Sequence, residues 1–230
     1  MERRGYFGAR FGGQYVSEAL MSALKEIETE HFFVAKDQCF TNELNFYLEQ
    51  YAGRKTPLYK AKNLSKKYGP DIYIKREDLL PYGGARYEGI AGQMIIGKRI
   101  GKKRYIMPTN DIAKGMILAS LASCLNVRAE VVLPKYIAEE NPASMQELKL
   151  TGAMITIKND MQSCYDYAMH VWIARSSAVT VIAERAFGPY PIPLMVREYE
   201  KVVGEEIKEQ LKAEKKAAKK AEKEAKKRAK

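Results

Sequence analysis

The sequence predicts an α/β fold, a parallel sheet flanked by helices, followed by a basic C-terminal helix. Three observations predict it. From residue 71 onward, short runs rich in β-branched residues alternate with stretches of helical length and period. The chain has 230 residues and 46% apolar content, enough for a sizeable core. Residues 212–230 contain only Lys, Arg, Ala and Glu, a composition that favours helix and has nothing to bury.

Two helices open the chain. VSEALMSALKEIE at 16–28 places Leu20, Leu24 and Ile27 on one face, with Ser17 as a candidate cap. NELNFYLEQYA at 42–52 repeats the pattern with Leu44, Tyr47 and Leu48, and Gly53 ends it. Strands are expected at 71–76, 103–107, 128–134, 153–158 and 178–183. Helices are expected near 88–101, 112–125, 140–151, 161–175 and 195–211. Regular strand–helix alternation argues for parallel strands, because right-handed crossovers lay helices over both faces of the sheet. In such sheets ligands gather at the carboxyl ends of the strands, which points to the loops 77–87, 108–114, 135–139, 159–160 and 184–194.

The net charge is +11, and +7 of it lies in residues 212–230, leaving a mildly basic body of residues 1–211. That tail is expected to be helical or disordered. It offers weak electrostatic binding to nucleic acid or an anionic surface. With no aromatic residue in it, base stacking is excluded. No run approaches the roughly 18 apolar residues of a membrane span and the N-terminus lacks a signal-like apolar stretch, so a cytoplasmic protein is expected. Cys39, Cys124 and Cys164 are widely spaced, and His31 and His170 are too few to complete a metal cluster with them, so no metal is expected. Tyr165, Tyr167, Met169 and Trp172 on one helix are expected to serve packing.

A series of segments then carries a resemblance: RFGGQYV at 10–16, LMSAL at 20–24, YAGRKTPLY at 51–59, NLSKKYG at 63–69 and IYIKREDLL at 72–80. GQMIIGKRIGKKR at 92–104, LTGAMITI at 150–157 and GPYPIPLMVREYEKVVGEEIKEQL at 188–211 follow in order. Together they resemble the N-terminal portion of the tryptophan synthase β-chain family, pyridoxal-phosphate enzymes of fold type II. The resemblance implies a truncated fold-type-II domain over residues 1–211, with an N-terminal helical segment at 1–58 and a βα core at 71–183. It also implies pyridoxal phosphate as cofactor, condensation of indole with L-serine, and an α chain as partner.

The positions that carry that chemistry are replaced. After KREDLL the family reads H-G-G-A-H-K, and its lysine forms the Schiff base with the cofactor. Ungapped alignment puts Arg86 at the lysine and Ala85 at the histidine; superposing Gly83-Gly84-Ala85 instead puts Tyr87 at the lysine. Neither supplies an amine, and a guanidinium stays protonated and attacks carbonyls poorly. Lys98 lies about three turns further along a helix, roughly 16–18 Å away, too far to substitute. The family's E-T-G-A-G-Q-H-G turn, whose glutamate is the acid/base, matches Pro108-Thr109-Asn110-Asp111-Ile112-Ala113-Lys114-Gly115, with Pro108 at the glutamate. Asp111 suits a helix cap there. Glu184-Arg185-Ala186-Phe187-Gly188-Pro189 brings bulky residues to a loop of small ones, and the chain stops before the family's G-G-G-S-N phosphate loop.

Read residue by residue, the resemblance leaves no intact catalytic position. It leaves a residual anion site of Gly83, Gly84, Arg86, Thr109, Lys114 and Gly115. No bound cofactor is expected, pyridoxal phosphate being implied only by the resemblance. A non-catalytic scaffold or binding protein is the expected function. The alternatives are residual pyridoxal-phosphate-dependent tryptophan synthase or related lyase activity, and a binder of nucleic acid or anionic surfaces through the tail. Without a C-terminal half, Leu20, Leu24 and Ile27 call for a cover: a homo-oligomer, an α-chain-like partner, or collapse onto the chain's own sheet.

Overall fold

The structure is a computed structural model and describes residues 5–7, 11–84, 86–186 and 188–228. β1 (Tyr6–Phe7) and β2 (Phe11–Gly12) make a small antiparallel hairpin ahead of α1 (Met21–Val34) and α2 (Gln38–Gln50). Asp37 caps α2, its carboxylate accepting from the Cys39 amide at 2.8 Å. β3 (Leu58–Lys60), α3 (Lys62–Tyr68) and β4 (Tyr73–Lys75) follow. Next come a tight turn α4 (Pro81–Gly84), the central helix α5 (Tyr87–Arg99), β5 (Arg104–Pro108) and α6 (Ile112–Leu125). β6 (Arg128–Pro134), α7 (Lys135–Glu140), α8 (Pro142–Leu150), β7 (Met154–Lys158), α9 (Met161–Ala174) and β8 (Val179–Val181) complete the alternation. α10 (Ile192–Glu200) and α11 (Val202–Arg228) close the described chain.

β5 to β8 form one all-parallel sheet in the order β7-β6-β5-β8. On β6, residues 129–134 are buried without interruption, as a strand covered on both faces requires. Within that run Glu130 is fully buried and remains satisfied: it pairs with Arg104 and accepts from Thr156 Oγ1 at 2.7 Å and Tyr167 OH at 2.9 Å. α9 covers one face of the sheet, where Cys164 and Ala168 meet Ile106, Val132 and Val179. Burial pushes the Cys164 thiol up to about 11, so this cysteine is an inert core residue. α5 and α6 cover the other face.

The strand expected at 71–76 forms at Tyr73–Lys75, but outside the parallel sheet. It pairs antiparallel with β3, a strand the periodicity does not reveal, with Leu58 opposite Lys75. A three-residue segment shows too little alternation to announce itself, so without its partner β4 reads as the first strand of the βα alternation. The helix expected at 195–211 is two helices, and α11 runs unbroken through residues 211 and 212.

α5 is buried without interruption from Tyr87 to Gly97 and reaches solvent only at Lys98 and Arg99. α10 lies against it at Gly92, where any Cβ would collide with the Tyr199 ring, so a glycine there lets the two helices approach. α1 and α2 pack on α5 as well. Leu20 and Leu24 are fully buried and Ile27 nearly so, hence the chain itself supplies a cover for that face. Phe32, Phe33 and Phe46 on the same two helices remain exposed. No helix among the described residues is long and apolar enough to cross a membrane, and none of their His, Cys, Asp and Glu side chains form a group suited to a metal ion.

Candidate functional site

The carboxyl end of the sheet brings together the end of β5, the start of α6 and the segment after β8. Pro108 ends β5 in register with Val132 and has no ionisable group to offer. Asp111 caps α6, its carboxylate accepting from the Ala113 amide at 3.0 Å. That bond occupies an N–H of the helix terminus which an anionic ligand would otherwise use.

Glu184 sits at the centre. One of its oxygens accepts from Thr109 Oγ1 at 2.6 Å and from Lys114 Nζ at 3.1 Å. Arg185 Nε lies 3.5 Å from the other oxygen, and Asp111 lies 3.6 Å from Lys114. Thr109, Lys114 and Glu184 are all buried. The carboxylate is placed by α5: the Gln93 side-chain amide donates to Ala183 O at 2.9 Å and accepts from Ala183 N at 3.0 Å, clamping the residue before Glu184. Chemically, the one buried lysine of this corner is committed to a carboxylate of the protein itself. A phosphate or carboxylate arriving there would face Glu184 and Asp111.

The other residues expected at this site lie elsewhere. Arg86 is the N-terminal cap of α5 with a left-handed backbone (φ 49°), half-exposed, and its guanidinium donates to both Glu200 oxygens on α10 at 2.8 and 3.0 Å. Tyr87, the alternative match to the lysine, is buried in the core, and burial pushes its phenol up. Gly83 is left-handed (φ 73°) with open space around it, in the turn that also contains Gly84. Gly115 packs below the site, against Val131 and Leu148. Ala85 lies outside the described residues. Of the six expected residues, then, Thr109 and Lys114 meet at one carboxylate, while Arg86 is held by another.

Three residues that make these contacts escape a reading of the sequence. Glu184 stands out only as bulk in its loop, and Gln93 and Glu200 appear only as letters of the segments 92–104 and 188–211. Their pairings span 70, 75, 90 and 114 residues and leave no local pattern.

Residues 49–218 match the family described as pyridoxal-phosphate dependent enzyme. The chain belongs to this family. It is 34% identical over 210 residues to tryptophan synthase beta chains of Campylobacter jejuni, among them those of strains 81-176 and RM1221. That alignment covers 90% of this chain and 53% of theirs, so the chain spans about half the length of the curated relatives it matches. Among solved structures, it resembles the processed form of threonine deaminase isoform 2 from Solanum lycopersicum (TM-score 0.59, 18% identity, 90% of this chain and 49% of that one). Serine racemase from Dictyostelium discoideum is similar too (TM-score 0.55, 18% identity, 81% and 53% covered). At such identity the likeness is one of fold. The family's fold type II is thus present, with a tryptophan synthase β-like N-terminal portion.

Proposed function

We propose that this family member is a tryptophan synthase β-like protein that does not run the family's chemistry and serves as a scaffold or binding protein. The observation that carries the reading is Arg86. At the position the resemblance gives to the Schiff-base lysine stands a guanidinium bound through two hydrogen bonds to Glu200. Schiff-base formation needs a neutral amine, which arginine does not provide. The residues described at the carboxyl end of the sheet do not fit pyridoxal phosphate either. They present Glu184 and Asp111 where an anion would dock, and they hold the buried Lys114 amine in a hydrogen bond.

The test is a titration of the full chain with pyridoxal phosphate, followed by borohydride reduction and peptide mapping, with a family member carrying the lysine as positive control. The expected result is no saturable visible band of a cofactor–lysine Schiff base, only scattered sub-stoichiometric labelling of surface lysines, and no tryptophan from indole and L-serine. One stoichiometric adduct at a single lysine, Lys114 above all, would overturn the reading.

A further inference from the structure

α11 has two faces, and the body of the protein fixes which one looks outward. Glu206, Gln210 and Glu214 recur every four residues and so share one side of the helix. All three contact the β3–β4 region. Glu206 accepts from Arg54 at 2.9 Å and from Lys75 at 2.6 Å. Gln210 accepts from Lys75 at 3.0 Å and donates to Thr56 O at 2.8 Å, and Glu214 accepts from Tyr73 OH at 3.3 Å. The helix is therefore docked in a definite rotation about its axis.

With about 100° per residue, Lys212, Lys215, Lys216, Lys219 and Lys220 fall within an arc of about 140° on the side away from that docked face. They are all exposed. Among the described residues, Lys212, Lys215, Lys216 and Lys219 have no carboxylate within ion-pairing distance, and Lys220 reaches Glu224 only at 3.9 Å. In sequence the same spacing continues with Lys223, Lys226 and Lys227. Lysines at i, i+3 and i+4 repel one another along a helix, and interleaved glutamates would have relieved this. Instead Glu214 is turned towards the body. The segregation of charge has no explanation in packing.

We propose that this lysine face is a sequence-independent docking surface for the phosphate backbone of double-stranded nucleic acid. From Lys212 to Lys220 the stripe rises about 12 Å, which matches three to four phosphates of one strand at about 3.4 Å each. A lipid surface fits less well, because between Lys212 and Lys220 the only apolar residues are the alanines 213, 217 and 218, none of them large enough to insert. Single strands fit less well because the segment has no aromatic side chain for stacking. This inference does not rest on the loss of catalysis proposed above.

The test is fluorescence anisotropy of a labelled mixed-sequence duplex titrated with the full chain over a series of salt concentrations. The wild-type log–log salt slope is expected near about −3, the value for three to four neutralised phosphates. The variant K215Q/K216Q/K219Q/K220Q is expected to bind at least tenfold more weakly at low salt, with a markedly shallower slope. The variant K215A/K219A/A213K/A217K keeps the net charge and moves two lysines off the stripe; it is expected to lose several-fold. Far-UV circular dichroism checks that both variants keep their helix content. Absence of salt-dependent duplex binding, equal binding by the rearranged variant, or binding to phosphatidylserine vesicles without duplex binding would each overturn the proposal.

Discussion

The buried ionic clusters around Arg54 and around Glu184 differ in what they join. Arg54 meets three carboxylates. Its Nη1 lies 2.9 Å from Glu77, its Nε lies 2.9 Å from Glu206, and it also pairs with Glu88. Lys75 adds a bond to Glu206 at 2.6 Å and one to the Thr56 carbonyl at 2.7 Å. This cluster links the start of the β3–β4 hairpin, the turn after β4, α5 and α11, with partners as far as 152 residues apart. The Glu184 cluster joins one loop to the start of one helix through Thr109 and Lys114. The first holds the architecture together; the second fills a corner. Removing a partner from a buried network hurts in proportion to the charges left stranded, and that yields three ways to break or sharpen the contrast.

The largest effect is expected from Arg54→Ala, which removes the cation shared by three carboxylates, leaving Glu88 without a counter-charge and Glu206 with Lys75 alone. A loss of about 3–5 kcal/mol is expected, read from the urea midpoint, together with increased proteolysis of α11. A loss below about 1 kcal/mol would erase the distinction between the clusters. Acid should dismantle the same cluster gradually. Burial alone would raise the Glu206 carboxyl, but the bonds from Arg54 and Lys75 more than offset it and hold the group below its usual 4.5. A carboxyl depressed in the folded state contributes stability that is present above its unfolded pKa and lost as pH falls through the folded one. Stability should therefore decline as pH is lowered below 4.5, and Glu206→Gln should make that decline shallower. The smallest effect is expected at the second cluster. Glu184→Gln keeps an acceptor for Thr109 and leaves Asp111 near Lys114, so about 1–3 kcal/mol is expected by the same denaturation measurement. A cost equal to that of Arg54→Ala would mean that the corner, too, is a structural hub.

The contrast also separates what was legible in the sequence from what was not. β5, β6, β7 and β8 were legible because the IMP, VVL, ITI and VTV runs alternate with helices. α6 forms over the residues expected for it, with Asp111 as the cap that its place before a long apolar run suggests. The β3–β4 pairing was not, because three-residue strands carry no period of their own. At the candidate site, replacement of the expected residues was plain in the letters: Arg86 and Pro108 cannot be read as an amine or an acid. What those residues do instead was hidden. Nothing local to Arg86 announces Glu200, and nothing local to Lys114 announces Glu184, because these pairs exist only once α10 and β8 have been folded alongside.

The enclosure of α5 has a consequence for how the molecule opens. A helix buried from Tyr87 to Gly97 has no side from which it can be peeled. α1, α2, α6 and α10 all rest on it, so its amides can meet solvent only when the whole assembly comes apart. In hydrogen exchange, α5 should report the global unfolding free energy, while the lysine-bearing turns of α11 exchange through local fraying far earlier. The slowest exchange should thus begin one residue after Arg86, beside a residue whose ion pair with Glu200 joins the start of α5 to α10.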